Sequence, residues 1–179
     1  IFLASMMIPA VVTMIPSFLV LKSIPLVGGN DLFGQGGLGL INTYWAIIIP
    51  GAAGGYSIFF MKQFFETLPD ELAESARVDG CGEFKIFLQI YFPLAKTALA
   101  TLGLMTFQAG WNQFMWPLIV LNSQEMMTVQ VGLASFQYNQ SANYGALMAG
   151  TVVSTIPMLI IFIFTQKYFI QGISHTGGK

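Results

Sequence analysis

Charge is missing from four long stretches of this chain: residues 1–21, 32–61, 97–124 and 126–166 contain no Asp, Glu, Lys or Arg. Each is long enough to cross the hydrocarbon of a bilayer, which takes roughly 20 apolar residues. The chain as a whole is 55% hydrophobic and 8% charged, whereas a water-soluble domain carries about a quarter charged residues. Too little polar surface is left to face water on all sides. The predicted fold class is therefore all-α, a polytopic transmembrane bundle, with helices at about 2–21, 41–61, 97–121 and 145–168. At 1.5 Å per residue each reaches roughly 30–37 Å.

The same composition excludes several functions. A net charge of -1 with no clustered Lys/Arg run offers no field for nucleic acid. A single cysteine, Cys81, and a single histidine, His175, supply neither an internal disulfide nor a ligand set for a structural metal. No catalytic residues and no metal ligands are predicted. Ten methionines suit irregular packing and imply no cofactor.

Punctuation along the chain is clear. Residues 24–39 hold six glycines and Pro25 and read as a loop. Pro9, Pro16, Pro50, Pro117 and Pro157 fall inside the predicted spans, where neighbouring helices must satisfy the carbonyls that proline frees. Six of the seven basic residues lie in the loop 62–96 or at the C-terminal end, and Lys22 alone falls on the other side. The positive-inside rule then places the loop 62–96 and the C-terminus in the cytoplasm, with loops 22–40 and 122–144 outward. The first residue is Ile1, within an apolar run and without the basic start of a signal peptide. The expectation is a chain cut within or just before a transmembrane helix, with any missing spans even in number.

The cytoplasmic loop carries six of the eight acidic residues. Pro69 suits a first helical position, with Asp70 and Glu71 in the first turn, where the helix dipole favours negative charge. Leu72, Ala73 and Ala76 are predicted to share one face, and Asp70, Glu71, Glu74 and Arg77 the other. Gly80 and Gly82 end this helix, and a second amphipathic piece runs from Glu83 through Phe84, Phe87, Leu88 and Tyr91 to Pro93. Such a unit is either an interfacial helix pair on the bilayer surface or an element that docks into a partner's groove.

The run Glu74-Ser75-Ala76, three residues, Gly80, nine residues, Ile90-Tyr91-Phe92-Pro93 resembles the EAA loop of ABC importer permeases. Ser75 replaces the second alanine of that pattern and Phe92 its leucine. The segments 111–119, 128–133 and 166–173 resemble the second half of carbohydrate-importer permeases of the maltose type, so the likeness covers essentially the whole chain. It implies a type I ABC importer permease, four spans visible of six, in the cell inner membrane. It further implies that the EAA helix docks on separate ATPase subunits through Leu72, Ala73, Glu74, Ala76, Asp79 and Gly80. ATP and Mg would then be bound by that partner, with no cofactor in this chain. The other implied partners are a second, different permease subunit, an extracytoplasmic solute-binding protein facing loop 122–144, and the lipid itself. The implied solute is a sugar or oligosaccharide, with glycerol phosphate a near neighbour.

On the third predicted span, Thr101, Gln108 and Asn112 fall near one helical face with Met105 and Met115. The stripe is a candidate solute path, or a set of hydrogen bonds between helices. Gly145, Ala149, Gly150 and Ser154 predict a close helix contact, and Trp111 and Trp116 are read as interface or packing aromatics. An ion-coupled secondary transporter would keep an ionisable residue within the membrane, and the predicted spans have none. An intramembrane enzyme lacks its paired carboxylates, its HExxH or a serine–histidine pair. A channel lacks a charged ring or filter. With no G-x-x-x-x-G-K-[ST] pattern, this chain does not bind ATP by a P-loop.

Overall fold

The computed structural model describes residue 4 and residues 6–138 and 144–176, the side chains at 137–138 and 167–176 excepted. Residues 2–3, 139–143 and Lys179, and the side chains of Lys167 and His175, figure in the predictions above and lie outside the described parts. Among the described residues every regular element is helical. The chain order is α1 (Ala10–Lys22), α2 (Trp45–Gly51), α3 (Gly55–Phe65), α4 (Glu71–Val78), α5 (Glu83–Leu94) and α6 (Lys96–Trp111). Then come α7 (Met115–Val120), a 3₁₀ turn at Gln124–Met126, α8 (Val129–Tyr138) and α9 (Tyr144–Thr176).

Helix falls within each predicted span, but shorter or more broken than hydropathy implies, and the one expected at 2–21 is continuous only over Ala10–Lys22, after a non-helical stretch at residues 7–9. The helix expected at 41–61 is two, because Pro50 sits in the last turn of α2 and the Gly54–Gly55 pair that follows disfavours continuation. The one expected at 97–121 also divides, at residues 112–114. Pro117 then occupies the third position of α7, where its missing N–H costs no intrahelical bond. The loop expected at 122–144 contains α8. Only Tyr144–Gln166, 23 residues with mean hydropathy 2.3, is a continuous helix of spanning length and composition among the described residues. Its lipid-like surface is plain, with Val152, Val153, Ile163 and Phe164 each at least 60% exposed. α9 runs eight residues past the predicted end at 168. α5 and α6 form an apolar pair bent by 73° at Ala95.

Apolar packing gathers at the end of the bundle predicted to face outward. Leu21, Ile41, Ala46, Trp116, Val120 and Leu121 form one buried cluster, with Met14, Phe18 and Ile47 against it. Pro50 cannot donate to the carbonyl four residues back, that of Ala46. The indole N–H of Trp116 donates to that carbonyl instead, at 2.9 Å. The indole of Trp111 similarly donates to the Ser154 carbonyl at 3.1 Å, beside Val153, whose carbonyl Pro157 deprives of its donor. Both tryptophans thus hold proline-weakened helices together, which is the packing role predicted for them.

Two asparagines tie the connecting loops. Asn42, at φ 60, uses a left-handed conformation that Asn tolerates better than most residues. Its N–H donates to Val120 O at 2.7 Å, and its Oδ1 accepts from the backbone N–H groups of Asn122 and Ser123. Buried Asn30 donates through Nδ2 to the Lys22 and Ile24 carbonyls and accepts from Gly37 N–H. The glycine-rich loop 24–39 is a hydrogen-bonded knot.

Trp116→Phe strands the Ala46 carbonyl and is expected to lower stability in detergent by about 1–3 kcal/mol. Pro50→Ala restores a local donor, so the double variant should lose less than the sum of the single changes. Additive losses in thermal unfolding would mean that the indole bond is not a substitute for the helical one.

Candidate functional site

The hairpin α4–α5 is built by local rules. Glu71 and Glu74 stand in the first turn of α4 and Arg77 in its last, each favourable to the helix dipole. Asp70, rather than Pro69, adjoins the first helical residue. The helix ends in a Schellman turn: Gly80 N–H donates to Arg77 O at 3.0 Å and Cys81 N–H to Ala76 O at 2.9 Å. Gly80 has φ +79 with open space where a Cβ would stand. The predicted need for glycine holds, and its cause is backbone conformation rather than crowding.

Across the turn, Arg77 grips Glu83 with Nε–Oε1 at 2.6 Å and Nη2–Oε2 at 3.2 Å. This bond and charge hold the Glu83 carboxyl below its ordinary range and push Arg77 further up. Both side chains are exposed, so the pair fixes geometry more than it stabilises.

Burial revises the predicted docking face. Ala73 and Ala76 are 4% and 7% exposed because they pack against Ile86 of α5, with Cys81, Ile90 and Tyr91 around them. Their small size serves close approach within this chain. Leu72 does not share that face and is exposed, while Val78 and Phe84 stand out at 88% and 76% exposure. Glu74 and Asp79 are exposed as well. The hairpin thus leaves Leu72, Val78 and Phe84 exposed, with Phe87 and Leu88 further along α5 and the acidic Glu74 and Asp79. Val78 was missed in the sequence because it follows Arg77 on what the helical pattern marks as the polar side.

α5 contains a π turn, Phe87–Tyr91, in which Phe92 N–H donates to Phe87 O. Pro93 explains it: in an α-helix its ring would collide with the Gln89 carbonyl, and the wider π turn relieves that contact. Phe65 of α3 meets Phe87 and Tyr91 edge to face, with centroids 6.2 and 6.0 Å away, and so anchors the hairpin to the bundle.

Of the predicted solute-path stripe, Thr101, Met105 and Gln108 lie on α6 with Asn112 at its end, and only Met115 stands apart. The Thr101 hydroxyl donates to its own helix at Thr97 O, 3.0 Å. Gln108 is exposed, Asn112 caps the C-terminus of α6, and Met115 belongs to α7 beyond the break. A cavity of about 260 Å³ is instead lined by Thr13 and Ser17 of α1, Pro50 of α2, Gln113 and Trp116. Its polar residues come from separate segments, so no periodicity marks them. The predicted small-residue contact is real at Gly150, where a Cβ would stand 2.6 Å from a Leu133 methyl of α8. Ser154 is buried, whereas Gly145 and Ala149 are exposed.

An all-helical membrane bundle that hangs a charged helical hairpin between apolar helices has the build of a transport permease. The chain belongs to the family described as "Binding-protein-dependent transport system inner membrane component", whose profile matches residues 1–175. It is 42% identical over 142 residues to the arabinooligosaccharides transport system permease protein AraQ of Halalkalibacterium halodurans, covering 79% of this chain and 51% of that one. It is 36% identical over 170 residues to the lactose transport system permease protein LacG of Rhizobium radiobacter, covering 95% and 57%. With the sn-glycerol-3-phosphate transport system permease protein UgpE of Yersinia pestis it shares 36% over 138 residues, covering 76% and 49%. A crystal structure of a bacterial ABC transporter involved in the import of the acidic polysaccharide alginate aligns with TM-score 0.74 at 30% identity, over 94% of this chain and 59% of that one. The chain spans about half the length of the curated relatives it matches.

Gly80→Ala places a side chain at positive φ and is expected to destabilise the hairpin by about 1–2 kcal/mol, read as faster amide exchange over residues 71–86. Because the folded Glu83 value is lowered, the pair's contribution is fully present above about pH 4.3. It is lost as pH falls through the lower folded value. Exchange at residues 82–86 should therefore accelerate in acid beyond its intrinsic pH dependence, and Glu83→Gln should abolish that extra acceleration.

Proposed function

We propose that this chain is the membrane-path part of a permease subunit in an ATP-driven importer of a sugar or oligosaccharide. The observation that carries the reading is the hairpin α4–α5, whose outward surface keeps Val78 and Phe84 in water. A free-standing loop would bury such side chains, and a groove on a second protein suits them. That second protein is a separate ATPase subunit holding ATP and Mg. Glu74 and Asp79 form the rim of the contact, with Leu72, Val78 and Phe84 inserted. Ala73, Ala76 and Gly80 hold the hairpin in shape.

In this reading the hairpin and the C-terminus lie in the cytoplasm, and α8 faces outward toward a solute-binding protein. A second, different permease subunit completes the path. The cavity of Thr13, Ser17 and Gln113 presents hydroxyl and amide groups without a fixed charge, which suits a hydroxyl-rich solute better than an ion. Thr101, Gln108 and Asn112 extend that polar route toward the cytoplasmic side.

Gly80→Trp in the full-length protein is expected to abolish ATP-dependent uptake while the subunit still reaches the membrane, and Phe84→Asp to reduce recovery of the ATPase on affinity purification from membranes by tenfold or more. Unchanged uptake by Gly80→Trp would sink the docking assignment. Proton-driven uptake by the purified subunit alone would favour a secondary transporter.

A further inference from the structure

A groove of about 590 Å³ runs between α3 and the hairpin. One wall is a single face of α3, where Ile58, Met61, Lys62, Phe65 and Glu66 recur at the three- and four-residue spacing of a helix. Over the roughly 12 Å from Ile58 to Glu66, that wall passes from apolar to charged. The wall from α5 is aromatic, Phe87 and Tyr91, and Phe65 meets both edge to face. At the charged end Lys62 pairs with Glu66, whose second carboxylate oxygen accepts from Gln63 Nε2 at 2.8 Å. Asp70 also lines the groove, and its carboxylate makes no hydrogen bond or ion pair among the described residues. An aspartate just before a helix ordinarily bonds to the N–H groups of the first turn. Here the Asp70 backbone is already helical, at φ -66 and ψ -27, and its side chain caps nothing.

The charged groups that line the groove, Lys62, Glu66 and Asp70, sum to one negative charge. One carboxylate stays open, and Lys62 spends one of its three donors on Glu66. A matching occupant has an apolar tail for the Ile58 end, a cation for Asp70 and an acceptor oxygen for Lys62. A lysine or arginine from a partner protein answers Asp70 but leaves the wall of Ile58 and Met61 uncovered. A lipid with a net negative headgroup sets its phosphate against an uncompensated carboxylate. We infer that this groove binds a zwitterionic phospholipid with a primary ammonium, of the phosphatidylethanolamine type, its acyl chain along α3 and its ammonium at Asp70. The inference needs the chain to lie in a membrane, as its family does, and is independent of the importer reading. A lipid seated there touches α3 and α5 at once, so it braces the hairpin alongside the ring contacts of Phe65.

The test takes the full-length protein from vesicles of equal phosphatidylethanolamine and phosphatidylglycerol and counts single-lipid adducts by native mass spectrometry. The wild type is expected to retain phosphatidylethanolamine over phosphatidylglycerol by about threefold to fivefold, the discrimination that one partly exposed charge contact supplies. Asp70→Asn keeps the size of the side chain and should bring the ratio close to unity. Ile58→Trp fills the apolar end and should lower the phosphatidylethanolamine adduct, whereas Val152→Trp on the exposed face of α9 should leave it unchanged. Equal retention of the two lipids by the wild type, or a preference that survives both Asp70→Asn and Ile58→Trp, overturns the site. It is overturned equally if Asp70→Asn leaves the lipid ratio in place and lowers recovery of the ATPase on affinity purification, because the groove then takes a protein partner.

Discussion

A proline inside a helix leaves the carbonyl four residues back in need of another donor, and that demand shapes this fold. Water can serve that purpose on a soluble surface, but in lipid the partner must come from the protein. The chain uses the Trp116 indole nitrogen at α2, on the Ala46 carbonyl that Pro50 leaves free. It uses a change of helical pitch before Pro93. At Pro117 it starts a new helix close enough upstream that no bond is lost. These devices let short, broken helices replace straight rods, and the cavity of about 260 Å³ lies beside two of the breaks, at Pro50 and Gln113.

On the importer reading proposed above, those breaks have a purpose. A permease must open a polar route through an apolar bundle without losing its shape, and an unwound stretch beside a packed cluster does both. Here the cluster around Val120 and Ala46 adjoins the interruptions at 52–54 and 112–114. The loops above it are pinned by Asn42 and Asn30. Rigidity is concentrated at this end. At the other, the hairpin is held by a second small cluster, one exposed ion pair and the Phe65 contacts.

How much of this was legible follows the physics of each signal. Charge segregation marked the apolar segments and the hairpin because both are averages over many residues. Gly80 was readable because a positive φ after a helix is a local demand. The face of α4 was half readable: the small size of Ala73 and Ala76 is a true signal of close approach, but sequence does not say to whom. The helix α8 was missed because residues 122–144 are polar enough to resemble a loop. The bonds of Trp116 to Ala46 and of Asn42 to the 122–123 turn join residues 70 and more apart. No spacing rule connects them.

The 73° bend between α5 and α6 has a mechanical corollary. Thrust delivered along the axis of α5 is turned nearly broadside at Ala95, so little of it travels lengthwise into α6. Most would arrive as a sideways sweep of the near end of α6 and of whatever packs on it, chiefly α9 and α3. A linkage bent in this way turns a push along one helix into a tilt of the next against its neighbours.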